Sequence, residues 1–198
     1  MNVIVPTPLQ RAILVVATLT TTLTSVAQGT IHFTNIRTPG QPRVFLCDAE
    51  TRGLTPIQGS NYLINLVAQN PATGNWEGVL KNDGSPFMGV APLTGANAGL
   101  FTGGILTIPF LYPGSMADVE IRAWDVTTGA TYESSFFKSS VRFTVESLGG
   151  AGTPPSLPAV LANMPPFAVC PELSTYALGG LGLGLIVLHS HRTSRRKG

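Results

Sequence analysis

Ala117-Asp118-Val119-Glu120-Ile121-Arg122-Ala123-Trp124-Asp125-Val126 alternates apolar and polar side chains more clearly than any other stretch of the chain. Successive side chains of a strand point to opposite faces, so this period marks a half-buried strand; an amphipathic helix would repeat its apolar positions every three to four residues. Val119, Ile121 and Ala123 share one face, expected to be core. Asp118, Glu120, Arg122 and Trp124 share the other, left for solvent or a ligand.

The same pattern recurs on both sides in short runs separated by Gly, Pro, Asn and Asp. Candidate strands are Thr30 to Asn35, Arg43 to Asp48, Tyr62 to Gln69, Asn75 to Leu80, Leu100 to Pro109, Ala117 to Val126 and Val141 to Glu146. Asn70 to Asn75 reads as a turn between two of them, Asn82-Asp83-Gly84 carries a step that tolerates positive φ, and Thr127-Thr128-Gly129 is a further reversal. No helix of ordinary length fits between Gln28 and Leu148. The expectation is an all-β fold, a single β-sandwich-like domain over 28–148, with a small barrel as the alternative.

The chain has 198 residues, of which 11% are charged, and a mean hydropathy of +0.26. Its apolar excess lies at the two ends. The net charge of +2 is likewise a sum of unlike parts, since Arg11 and the group Arg192, Arg195, Arg196 and Lys197 belong to the ends. Between Gln28 and Cys170 seven basic side chains face nine acidic ones. That balance provides no basic patch for phosphates and argues against a nucleic-acid partner.

Ala12 to Leu23 is an apolar run too short to span a bilayer comfortably, preceded by Arg11 and followed by the small residues of Ser25-Val26-Ala27. This order predicts a signal peptide over 1–27, cut by signal peptidase between Ala27 and Gln28. After Leu148, the run Gly149 to Pro158 and the pair Pro165-Pro166 predict an extended Gly/Pro-rich linker over 149–170, onto which Leu161, Met164 and Phe167 could pack back. Two cysteines, Cys47 and Cys170, do not make a disulfide framework. The simpler expectation is two unpaired thiols, with Cys47 packed as a small hydrophobe, and a bridge between them is the alternative.

The last segment, 171–198, has three parts: Pro171-Glu172-Leu173-Ser174-Thr175, the apolar Ala177 to Leu188, and a basic stop at Arg192, Arg195, Arg196 and Lys197. Twelve apolar residues rise only about 18 Å as a helix against a hydrocarbon core near 30 Å, so this would be a short, marginal transmembrane helix. The basic cluster would hold its C-terminus on the cytoplasmic side. Gly180 and Gly184 stand four apart, which permits a close helix contact in the membrane, although a merely Gly-rich helix is the simpler reading.

In its motif, apolar helix and basic stop, this tail resembles the PEP-CTERM sorting signal of Gram-negative bacteria, with Leu173 where the motif's second proline stands. The resemblance implies an exosortase-type processing enzyme as partner, membrane anchoring during sorting, and delivery to the cell surface or an exopolysaccharide matrix. The middle is also similar to sandwich-like ectodomains upstream of such tails, through Gln28 to Phe33, Arg122 to Asp125, Gly129 to Tyr132 and the stretch Leu148 to Pro158. That likeness implies architecture and export, and no activity.

The residues name no catalytic constellation. His32 is the one histidine before the tail and alternates with Ile31 and Phe33, the setting of a structural strand histidine. Asp118 and Glu120 could be read as a carboxylate pair, but Arg122 continues their face and makes a charge cluster the simpler reading. No Cys, His or carboxylate spacing suits a metal, and no cofactor is implied. Trp124 beside Asp118, Glu120 and Arg122 could serve as an aromatic platform for a polysaccharide, but a tryptophan in a sandwich is more often core, and a one-residue bulge would turn it inward, which is the favoured reading. The expected function is therefore that of a non-enzymatic surface or matrix protein, with a carbohydrate-binding module as the alternative.

Overall fold

A computed structural model describes residues 28–47, 53–151 and 154–171. Its strands are β1 (Gly29–Thr34), β2 (Val44–Cys47), β3 (Leu54–Pro56), β4 (Tyr62–Gln69), β5 (Trp76–Gly78), β6 (Leu80–Lys81), β7 (Thr102–Ile108), β8 (Ala117–Asp125), β9 (Phe137–Val145), β10 (Ala159–Val160) and β11 (Phe167–Pro171). Among the described residues there is no α-helix, only one 3-10 turn at Gly95–Asn97. The fold is all-β, as the alternating runs require.

The strands form a small sheet ordered β10-β1-β7-β6 and a large one ordered β3-β2-β11-β9-β8-β4-β5. Ile31 and Phe33 of β1 and Leu106 and Ile108 of β7 are buried in one cluster with Ile64, Leu66 and Ala68 of β4 and Val119, Ile121 and Ala123 of β8. Two sheets sharing one core is the arrangement of a β-sandwich. Phe33 anchors that core, 5.3 Å from the Phe87 ring and 4.7 Å from the Phe101 ring. The stretch Ala117 to Val126 is central: β8 pairs antiparallel with β4 from Tyr62↔Asp125 to Ala68↔Val119, and with β9 from Ala117↔Val145 to Trp124↔Lys138.

Three expectations need correction. The run Asn75 to Leu80 is not one strand, because it changes sheets at Val79: β5 pairs with β4 in the large sheet and β6 with β7 in the small one. Val79 is buried at this crossing, and its carbonyl accepts the Phe87 amide at 3.0 Å. A strand passing from one layer to the other makes a sandwich corner.

The second correction concerns 149–170, which is built into the domain. Thr30 and Gly149 exchange backbone hydrogen bonds at 2.8 and 3.0 Å. Strand β10 pairs parallel with β1, and β11 lies between β2 and β9, parallel to the first and antiparallel to the second. Glycine here permits close packing: a Cβ on Gly149 would overlap the backbone of Leu157. The prolines punctuate rather than prevent pairing. Phe167-Ala168-Val169-Cys170 is proline-free, Pro171 stands at the strand's end, and Leu161, Met164 and Val169 are buried.

The third correction follows from that register. Phe167↔Val44, Ala168↔Phe45 and Val169↔Leu46 bring Cys170 beside Cys47, with Cα atoms 4.9 Å apart, and the two are joined as a disulfide. The cysteines are not two unpaired thiols. Strand β11 thus ends at a defined rim of the large sheet, the exit rim, where Pro171 pairs with Phe137 and Asp125 with Tyr62.

Candidate functional site

The outer face of the large sheet carries the side chains that alternate with its core-facing set. Register sets three rows across β4, β8 and β9: Val67, Glu120 and Arg142; Asn65, Arg122 and Ser140; Leu63, Trp124 and Lys138. The expected grouping of Asp118, Glu120, Arg122 and Trp124 on one face is therefore observed, but that face is partly covered.

Glu120 is 2% exposed, although it lies on the outer face. Its two carboxylate oxygens each accept one charged hydrogen bond, from Arg122 Nε at 2.9 Å and from Arg142 Nε at 2.7 Å. Burial by itself raises its pKa, and the bonds and positive charges of Arg142 and Arg122 more than reverse that, leaving Glu120 below the ordinary carboxylate range. A carboxylate held ionised in this way is not poised to donate a proton. Arg122 also donates from Nη1 to Glu133 at 3.2 Å.

Trp124 is 4% exposed, buried as the core alternative expects, but it keeps the outer-face parity and is covered there instead of turning inward, so it offers no open platform. The cover is the loop 126–136. Tyr132 meets the indole edge-on at 6.3 Å between ring centroids, and Arg122 Cζ and Lys138 Nζ lie 5.0 and 5.6 Å from the Tyr132 centroid. Asp125 starts this loop by accepting from the Thr127 amide at 2.8 Å and its hydroxyl at 2.6 Å, an Asx turn. Gly129 lets the loop close, since a Cβ there would overlap the Ser134–Ser135 backbone. Trp124 Nε1 has no hydrogen-bond partner among the described residues, an unpaired buried donor whose desolvation opposes the gain from burying the ring.

A half-buried aromatic ring that does reach this face lies instead at Trp76. Gln69↔Trp76 pairing puts this side chain on the same outer face, and the guanidinium of Arg142 stacks 4.8 Å from its ring centroid. Beside them is an open depression of about 270 Å3 lined by Gln69, Trp76, Asp118, Arg142 and Thr144 among others. The Arg142 side chain is 64% exposed with only its Nε bonded to Glu120, so the outer edge of the guanidinium faces the opening. Asp118 accepts the Thr144 hydroxyl at 2.6 Å. An indole, a guanidinium, a hydroxyl and a carboxylate around a shallow opening can hold a polar ring by stacking and hydrogen bonding.

Sequence reasoning missed the pairing of Trp76 with Arg142. The one available signal was parity, since Arg142 alternates with Val141 and Phe143 and so shares the outer face. His32 alternates with buried Ile31 and Phe33 in the small sheet, hence on the opposite side of the sandwich from Asp118 and Glu120, and cannot join them. No group of three or more metal-binding side chains occurs among the described residues. Of the sorting motif, Pro171 closes β11, while Glu172, Leu173, Ser174 and Thr175 lie outside the described residues, as do Arg192, Arg195, Arg196, Lys197 and Ala27. Gln28 is exposed and immediately precedes β1. No protein-family model, curated protein or solved structure matches the chain.

Proposed function

We propose that the chain is an exported, non-enzymatic protein of the cell surface or exopolysaccharide matrix, carrying a signal peptide over 1–27 and sorted through a PEP-CTERM-like segment over 171–198. The observation that carries this reading is the Cys47–Cys170 disulfide, which staples β11 one residue before the sorting motif begins. Disulfides form and persist in oxidising, extracytoplasmic compartments. The element boundaries add support: β1 begins just after the expected cleavage site, and all strands among the described residues lie within 29–171. The commitment of Glu120 to two arginines, and of His32 to the opposite face, supports the non-enzymatic part.

The test is the intact mass of the protein recovered from the surface of a host with an active exosortase. The expected mass lacks Met1 to Ala27 and the Arg-rich end. Retention of His189 to Gly198 would mean that Leu173 disables processing and leaves a membrane-tethered form. Recovery from the cytoplasm with Met1 to Ala27 attached and both thiols reduced would sink the export reading altogether.

A second reading is favoured by the Trp76–Arg142 stack over the open depression: a carbohydrate-binding module for an acidic polysaccharide of the matrix. The stacked indole would meet the ring, and the exposed edge of Arg142 a uronic carboxylate. On a glycan array that includes uronic-acid polymers, Trp76→Ala and Arg142→Gln are expected to abolish binding, and Trp124→Phe to preserve it. Binding indifferent to Trp76 and Arg142 removes this site, and no binding by the wild type leaves the structural role.

A further inference from the structure

Three observations meet at the exit rim of the large sheet. Strand β11 runs toward it and ends there at Pro171, pinned sideways by the disulfide to β2 and by pairing to β9. Leu54 and Phe136 stand exposed at 61% and 59%, the first on β3 opposite Cys47 and the second beside Phe137, the partner of Pro171. The sequence then allows only Glu172 to Tyr176 before the apolar run Ala177 to Leu188 begins. Five residues reach at most about 18 Å.

We propose that this rim is a membrane-contact surface: when Ala177 to Leu188 is inserted, Leu54 and Phe136 rest in the headgroup region of the same bilayer and the sandwich stands on its exit rim. The inference rests on the anchor reading above and adds to it an orientation and a contact. A short tether holds the two side chains at high effective concentration near the lipid, so a contact too weak to bind alone becomes populated. The disulfide keeps β11 from peeling away and lengthening that tether. A second exposed apolar group, Tyr112, Met116 and Leu157, lies at the far rim, where β8 starts and β9 ends, and β11 runs in the direction away from it.

The two tryptophans form a built-in ruler. Trp124 sits opposite Lys138, one row inside the Pro171–Phe137 pair, whereas Trp76 pairs with Gln69 at the other end of β4. Trp124 pairs with Leu63 of β4, so six residues of strand, about 20 Å, separate those rows.

The test uses the chain made in a Gram-negative host without exosortase, purified from membranes, with intact mass showing Ala177 to Leu188 retained and Met1 to Ala27 removed. It is reconstituted in phosphatidylethanolamine–phosphatidylglycerol vesicles carrying a headgroup spin label, with Trp76→Phe and Trp124→Phe providing single reporters. Quenching of Trp124 is expected to exceed that of Trp76 about twofold or more, given rows about 20 Å apart. Leu54→Ser with Phe136→Ser is expected to reduce that excess while the protein still floats with vesicles, and Tyr112→Ser with Met116→Ser to leave it unchanged. Flotation with equal quenching of both reporters, or an excess lost only in the Tyr112/Met116 pair, overturns the contact while leaving the anchor standing. Failure to float overturns the anchor reading and the contact with it. If the Leu54/Phe136 pair does not fold, the two single-tryptophan chains alone decide.

Discussion

Replacing both Cys47 and Cys170 by Ala should lower the stability of the sandwich substantially and loosen it first at β11. The bridge spans 123 residues of sequence, and a loop of that length removes about 5 kcal/mol of chain entropy from the unfolded state in the loop-closure model, against about 2–4 kcal/mol usually measured. Taking about 3 kcal/mol, a domain of this size should melt about 10 °C lower. The local part of the effect follows from the short pairing of β11 with β9 among the described residues, Cys170↔Lys138 and Pro171↔Phe137, in which the proline donates no hydrogen bond. Buried Val169 and the parallel pairing with β2 would keep the strand docked but easier to open. Thermal melts followed by circular dichroism, together with amide exchange, give both readings on the Gln28–Pro171 fragment. Exchange at residues 168–170 should accelerate more than at residues 119–123 of β8. Alkylation of two thiols in the native, unreduced protein, with equal melting of the wild type and the double variant, would refute the pairing and the register that predicts it.

Glu120→Gln should cost about 1–3 kcal/mol, because it leaves Arg122 and Arg142 without their shared carboxylate while both keep partial access to water. The pH dependence has a definite sign. With its folded pKa below the ordinary value of 4.5, Glu120 stabilises the fold fully above that pH, and the contribution fades as pH falls through the folded value. Urea midpoints between about pH 6 and about pH 3 should therefore fall less steeply in Glu120→Gln than in wild type, and an identical acid slope would mean that the carboxylate is not held by those arginines. Gly129→Ala should destabilise by about 1–3 kcal/mol through overlap with Ser134 and Ser135, measured by denaturant unfolding; a neutral outcome would contradict the close loop closure. Tyr132→Ala should uncover Trp124, shifting its emission to the red and admitting iodide in a Trp76→Phe background, and unchanged quenching would mean that the loop 126–136 is not its cover.

The legible parts of this fold were those in which local alternation and burial coincide. Tyr62 to Gln69 and Ala117 to Asp125 carry their core residues on one parity, so their strand character and the face of Val119, Ile121 and Ala123 followed from spacing alone. Composition misled where its usual meaning depends on context. In 149–170 the glycines and prolines fit close approaches and strand ends, and the four pairable residues of β11 are too short a signal to stand out among them. Asn75 to Leu80 alternates acceptably as one strand, yet Val79 turns it from one sheet to the other, a decision made by the core and not by its neighbours in sequence. The outer face shows the same division. Parity correctly grouped Asp118, Glu120, Arg122 and Trp124, but whether each meets water depends on what crosses above. Tyr132 arrives from a loop that Asp125 folds back, so Trp124 is covered; Arg142 arrives from β9, so Glu120 is buried as an ion. Such a site is composed of long-range arrivals. Its stacked Trp76 and Arg142 stand three strands apart in the sheet, and nothing in either residue's local sequence foretells the other.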